Sequence, residues 1–498
     1  MRFFPRYVVL VALSLAGPLG AGCGGGSIDS SGSGGTDPST GDLPPNDVGE
    51  SFTVGSGPML PPGVWSKRYG DAEDQRALAV AVNEAGEVAV TGTAKGTIDF
   101  GNIPWTGMTT DTDVVVAKLS NEGQSLWSRR YGDSCDQRGS AVAHTPSGNV
   151  LIAGDFCGKM DFGTTAVETK GAEIDAFVAM IDSLGEDIYS RSFGGKGAQI
   201  TRAAAVDATG NAVVVGSFDQ GFDAGLGEAT SAGLEDTFVV ALDPKGNVLW
   251  SLTFGGSEPD IASGVAFDEL GNILIGGTFG GSVDFGGGPL TATVGHPSSF
   301  VVKLDPSGKH LWSKSLGGDD DVVINSVAAG PSGQVAVTGS YAGTADLGGG
   351  PVTSNGTGDA FVEVMSAAGD HVWGNAFGGP KLQRGTGVAF GVNGDLAVSG
   401  VSDETVHLDA LLPNVPFPLI GSAALGPSMG YAITFDAAGT PLVGWEMNSG
   451  GTVECAGVGL DEKLGMVVAG SFKESLGFQL GPLVTAGGWD VFVARTQP

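Results

Sequence analysis

From residue 64 onward the apolar residues fall in short runs of four to seven, rich in Val, Ile, Phe and Trp, and each run is closed by Gly, Asp-x-x-Gly or Pro. Runs of that length between turn residues read as strands, and no window carries a long helical period. One stretch shows the plan: SGVAFDELG, NILIGGTFGGSVDFGGGPLT, SSFVVKLDPSG, KHLWSKSLGG, which is four strands with a small extra loop. The plan recurs seven times, marked by Trp65, Trp127, Tyr189, Trp250, Trp312, Trp373 and Trp445 at intervals of 62, 62, 61, 62, 61 and 72. A fixed period of this size predicts an all-β fold, a seven-bladed β-propeller of four-stranded blades.

The first strand of each unit has small residues at alternate positions: Ala79 and Ala81, Ala141 and Ala143, Ala203 and Ala205, Gly264 and Ala266, Ser326 and Ala328, Gly387 and Ala389, Gly457 and Gly459. A strand alternates faces with period two, so a uniformly small face places this strand innermost, where the units crowd around the axis. The array begins with WSKRYG (65–70), a fourth strand without its first three, and ends with WDVFVARTQP, a third strand without its fourth. The two fragments are expected to complete one blade and close the ring.

Charge and composition narrow the setting. Acidic residues outnumber basic ones by 55 to 24, a formal net charge of −31, which disfavours nucleic acid as a partner. The N-terminus, with Arg2 and Arg6 before the apolar run Tyr7–Gly17 and small residues up to Cys23, has the layout of an export signal over residues 1–22. The stretch Leu19-Gly20-Ala21-Gly22-Cys23 resembles the lipobox of bacterial lipoproteins, departing from it in having Gly20 where leucine is usual. The resemblance implies acylation of Cys23, with palmitate-like chains as the only membrane attachment. Residues 23–63 are a Gly/Ser/Pro/Asp tract that reads as a flexible tether before the propeller of residues 64–498.

The recurring W-S-x-x-[FY]-G-G, A-V-A-x-D-x-x-G-N, G-x-F-x-G-x-x-D-F-G and D-x-F-V-x-x-L-D-x-x-G motifs are similar to the SBBP-type β-propeller repeat of secreted bacterial proteins. That family implies a fold and no defined chemistry. The sixth unit departs most, with about ten extra residues, including PNVPFPLIGSAALGPSMG, and His407 where other units have Asp.

Several residues carry candidate chemistry. Cys135 and Cys157 flank the first two strands of one unit, and export makes a disulfide between them the expectation. Cys455 reads as a small buried residue. Asp99, Asp161, Asp223, Asp284 and Asp346 recur at one position and Asp113, Asp175, Asp236, Asp359 and Asp490 at another, which marks fold requirements. The acidic run Asp319, Asp320 and Asp321 is a candidate weak calcium site, with no other cofactor expected. The five histidines show no ligand spacing. Gly426-Pro427-Ser428-Met429-Gly430 matches G-x-S-x-G, but the following YAITFD reads as a strand where the hydrolase elbow needs a helix.

The expected ligand surface combines Trp105, on an extra loop, with Asp403, Glu404, His407 and Phe417 of the sixth unit. The reading is a non-catalytic, monomeric envelope lipoprotein at the outer membrane or cell surface, whose propeller binds an envelope protein or a glycan. The rivals are a propeller enzyme, acting on glycans or as a quinone-dependent oxidoreductase, and a purely structural envelope component.

Overall fold

The structure, a computed structural model, describes residues 63–107, 110–169, 173–403, 428–462, 465–478 and 481–496. The leader, Cys23 and the tether lie outside the described residues, as do Glu404, His407 and Phe417. No helix among the described residues is long and apolar enough to cross a membrane.

Seven four-stranded antiparallel blades form the ring; six are separate sheets, and that of blade 4 runs on through Gly317 and Gly318 into the small hairpin of Thr344–Asp346 and Pro351–Thr353, six strands in all. Blade 1 is Gln75–Val82, Val88–Ala94, Asp113–Leu119 and Ser125–Tyr131. Blade 2 is Gln137–His144, Val150–Phe156, Asp175–Ile181 and Asp187–Phe193. Blade 3 is Gln199–Val206, Ala212–Phe218, Asp236–Leu242 and Val248–Phe254. Blade 4 is Asp260–Phe267, Ile273–Phe279, Ser298–Leu304 and His310–Gly318. Blade 5 is Val322–Ala329, Val335–Tyr341, Asp359–Met365 and His371–Phe377. Blade 6 is Gln383–Phe390, Leu396–Ser402, Met429–Phe435 and Pro441–Asn448. Blade 7 is Val453–Leu460, Met466–Phe472 and Asp490–Arg495, completed by the N-terminal strand Trp65–Tyr69.

That last pairing closes the ring: Trp65 lies opposite Arg495 and Tyr69 opposite Val491. Trp65 Nε1 and Arg495 Nη1 both donate to the Asn121 carbonyl of blade 1, at 2.9 and 2.7 Å. Arg68 holds Asp490 at 2.6 Å within blade 7.

First strands of neighbouring blades pack against one another all round the ring. Their small residues are needed there: a Cβ on Gly457 would meet Val80 of blade 1 at 3.3 Å, and one on Gly264 would meet the Val327 backbone of blade 5 at 2.8 Å. The alternation is broken once in every first strand, by a one-residue register shift such as Ala77/Ala79, Gly139/Ala141 and Thr201/Ala203. The displaced residue is Leu78, Ser140 and Arg202 in these three blades, so the bulge is where the innermost strand varies.

The apolar core is distributed over the seams between blades. Seven buried clusters form, each drawing on two adjacent blades; Val491 and Val493 of blade 7, for example, pack with Val88 and Val115 of blade 1. The outer-strand tryptophans add a directional bond to this burial. Trp127, Trp250, Trp312 and Trp373 donate Nε1–H to the carbonyls of Ser183, Pro306, Ala367 and Ala437, each on the third-to-fourth-strand hairpin of the following blade. The ring needs a glycine beneath it: Gly246, at φ +76°, has no room for a Cβ because Tyr189 lies 2.5 Å from where it would sit.

Trp445 departs from the series. The residue of blade 6 in the place of Trp373 is Val443, opposite Thr434, and Trp445 stands two residues further along, buried with its Nε1 unpaired. Two seams therefore lack the tryptophan bond, the one after Val443 and the one after Tyr189, whose buried hydroxyl has no hydrogen-bond partner.

Candidate functional site

Antiparallel order sends the fourth-to-first and the second-to-third connections to one end of the ring, and the short hairpins to the other. At the hairpin end one device recurs: Asp182, Asp207, Asp243, Asp268, Asp305 and Asp436 each accept backbone N–H groups two and four residues on, while other hairpins begin at Asn83, Ser120, Thr145, Gly330, Ser366 and Gly391. Against the burial that opposes it, side-chain donors (Asn211 and Thr209, Asn247, Asn272 and Lys303, Ser307) and then these backbone bonds hold the Asp207, Asp243, Asp268 and Asp305 carboxyls below their ordinary value, and backbone bonds lead at Asp436. The hairpin end also has features particular to single blades, among them the buried His144, whose ring nitrogens lack hydrogen-bond partners, and the Lys118–Glu87 pair at 2.8 Å; the long-loop end carries the disulfide and the clusters described below.

Both predicted aspartate series are consumed by structure. Asp99, Asp161, Asp223, Asp284 and Asp346 each accept the N–H two residues on, at 2.6–2.9 Å, in the Asp-x-Gly turn of the small extra hairpins. Asp236, Asp359 and Asp490 take the N–H groups of Ala232, Asn355 and Ala486. Their buried carboxyls lie beneath the glycines that end the fourth strands, Gly255, Gly378 and Gly70. Burial raises all three above the usual carboxylate value.

The mouth of the ring at this end gathers arginines. Arg76 bonds Glu454 of blade 7 at 2.6 Å and lies 4.0 Å over the Trp489 ring. Arg138 reaches Asp155 at 3.3 Å and the bulge residue Ser140 at 3.2 Å. Arg202 has a buried Nε with no hydrogen-bond partner; burial, then the like charge of Arg138, lower its pKa. Burial likewise raises Asp155, against the pull of Arg138 and Arg202. Arg384 stands 3.9 Å from the exposed Asp403. Sequence reasoning missed this group because its members come from four different strands. The signal was there: arginine follows glutamine at Gln75-Arg76, Gln137-Arg138 and Gln383-Arg384, at the start of the first strand.

Of the two described residues expected to form a ligand surface, Trp105 and Asp403, the latter is an exposed side chain at this end. Trp105 is half-buried in a two-stranded hairpin with Thr97–Ile98, packs on the cluster between blades 7 and 1, and donates Nε1–H to Ser128 Oγ at 2.8 Å. Cys135 and Cys157 are joined as a disulfide with Cα atoms 6.0 Å apart, and Cys455 is free and buried. Ser428 of the G-x-S-x-G string accepts the Val453 N–H at 2.9 Å, and the strand Met429–Phe435 follows it.

Asp319, Asp320 and Asp321 do not form one ligand set. Asp319 accepts the Thr344 N–H at 2.6 Å in the turn to blade 5. Asp320 and Asp321 instead converge with His296, whose Nδ1 lies 3.2 and 3.1 Å from their Oδ1 atoms. A polar cavity of about 390 Å³ opens separately among Thr291, Thr293, Ser298, Ser315, Gly317 and Gly318, with Asp346 and Gly348, and none of the three residues lines it. Its origin is a substitution: blade 4 has Ser298 where blades 1, 2, 3, 5 and 7 have an aspartate beneath a glycine.

No protein-family model matches the chain. A stretch of 123 residues is 33% identical to the regulatory protein FlaEY of Caulobacter vibrioides, covering 24% of this chain and 13% of that protein. The chain thus spans about an eighth of that relative's length. Among solved structures, hydrazine synthase of Kuenenia stuttgartiensis aligns at 10% identity and a TM-score of 0.40 over 79% of this chain and 92% of that one. Sqt1 of Chaetomium thermophilum aligns at 13% and 0.39 over 87% and 100%. A puromycin hydrolase aligns at 11% and 0.42 over 86% and 55%. At such values these neighbours carry no argument about activity.

Proposed function

We propose that this chain is an exported lipoprotein of SBBP-type repeats, anchored through Cys23, whose propeller is a non-catalytic binding scaffold for an envelope protein or glycan at the outer membrane or cell surface. The observation that supports the binding role is the asymmetry between the two ends of the ring. Six Asp-x-x-x-[Asn/Glu/Lys/Thr] hairpins at one end are built on the same aspartate bonds, whereas the other end holds the disulfide, the arginine-lined mouth, the His296 cluster and the ends of the long connection from Ser402 to Met429. A scaffold keeps its strands alike and varies the loops that meet its ligand.

The test has two arms. Cells fed an alkyne-bearing fatty acid should label the protein and keep it in the membrane fraction, and Cys23→Ser should lose both the label and the anchorage. Replacing residues 403–428 with the corresponding connection of blade 5 should leave the melting temperature within a few degrees and abolish partner binding. Retained binding in the loop replacement would place the ligand elsewhere on the ring.

A further inference from the structure

We propose that His296, Asp320 and Asp321 bind one divalent transition-metal ion, of the zinc or manganese class, at the seam between blades 4 and 5. The three donor atoms, one imidazole nitrogen and two carboxylate oxygens, lie within 4.8 Å of one another, with the His296 edges at 3.1 and 3.2 Å. Donors about 2.0–2.2 Å from a common ion, at tetrahedral to octahedral angles, stand about 3.0–3.5 Å apart. In the tautomer with its proton on Nε2, His296 turns the Nδ1 lone pair toward the same point as the two carboxylate oxygens, three acceptors that a cation satisfies together.

The loops that present these donors are tied down by their backbones. His296 N–H donates to the Thr293 carbonyl at 3.0 Å, Val322 N–H to that of Pro297 at 3.2 Å, and Ala342 N–H to that of Asp321 at 3.0 Å. Asp320 Oδ1 also accepts the Asp321 N–H at 2.8 Å, which orients its carboxylate as supporting bonds do around bound metals. The His296, Asp320 and Asp321 side chains are all partly exposed, so solvent water has access to complete a three-ligand site. Nitrogen in the donor set selects against calcium, which takes oxygen ligands, and in favour of zinc or manganese.

The test uses the tag-free mature protein, stripped with chelator and titrated with Co²⁺, Zn²⁺ and, for comparison, Ca²⁺. Expected is one Co²⁺ per chain with visible d–d absorption, displaced by Zn²⁺, and Ca²⁺ bound at least tenfold more weakly. His296→Ala and Asp321→Asn should each weaken Co²⁺ at least tenfold without moving the melting temperature of the metal-free protein. Should His296→Ala fail to fold, His296→Gln keeps the volume and polarity and should show the same loss. Absence of stoichiometric Co²⁺ or Zn²⁺ binding, affinity unchanged in the His296 variants, or Ca²⁺ bound as tightly as Zn²⁺ would overturn the proposal.

Discussion

Asp260 stands where blades 1, 2, 3 and 6 place a glutamine, at the entrance of the first strand, fully buried, and its Oδ2 accepts the Gly256 N–H at 2.6 Å. Burial, with Asp236 and Glu258 nearby, pushes its carboxyl up to about 7. A carboxyl at 3.8 in the unfolded chain and about 7 in the fold contributes stability that is intact below pH 4 and lost as the pH climbs through 7. Asp260→Asn should therefore raise the melting temperature at pH 8 by roughly 2 °C or more and leave it unchanged near pH 4. An equal effect at both pH values would show that ionisation is not the cause. At the same scale, Trp127→Phe removes the bond to Ser183 and should cost about 1 kcal/mol in urea unfolding. Tyr189→Phe deletes a buried hydroxyl with no partner and should be neutral or stabilising. The tryptophans were legible in the chain because an aromatic is conspicuous, but that same conspicuousness made Trp445 look like a seventh member. Only strand register, opposite Thr434, assigns the place to Val443.

Elements were legible wherever a run of apolar residues ended in a turn signal, and this covers the blades' four strands and their hairpins. What escaped was local to one strand or spread over several. The first-strand bulge is invisible because residues on both sides of it are small, so alternation seems continuous through Ala77 and Ala79. The partnership of Asp320 and Asp321 with His296 escaped because the histidine lies on the far side of a hairpin, and antiparallel pairing brings together residues with no fixed spacing. Trp105 lies on an extra loop, and its two-stranded hairpin half-buries it. At this scale the Cys135–Cys157 bond ties a fourth-to-first connection to the end of the second strand across 22 residues, a closure worth about 3 kcal/mol. A reductant should lower the melting temperature of the wild-type chain and leave that of a Cys135→Ser, Cys157→Ser double variant where it is. A melt insensitive to reductant in both would mean the bond adds no stability.

The molecule as a whole is a ring of nearest-neighbour seams, each with its own apolar cluster, so its stability depends on having no open edge. Deleting residues 65–70 removes the outer strand of blade 7 with Trp65 and its bond to Asn121. The variant should melt far below the parent, by more than 10 °C on the order-of-magnitude scale of several kcal/mol; an unchanged melt would contradict the closure. The same ring plan gives the protein two unlike ends, and the functional reading rests on that difference. Photo-crosslinking on intact producing cells tests it most directly, with a photoreactive residue placed in separate variants at Leu234 and Val294 on the long-loop end and at Leu184 and Leu270 on the hairpin end, all exposed. A discrete envelope partner captured from Leu234 or Val294, and absent from Leu184 and Leu270, is the predicted result. Equal capture from both ends, or capture from the hairpin end alone, would contradict the assignment of the long-loop end as the working surface.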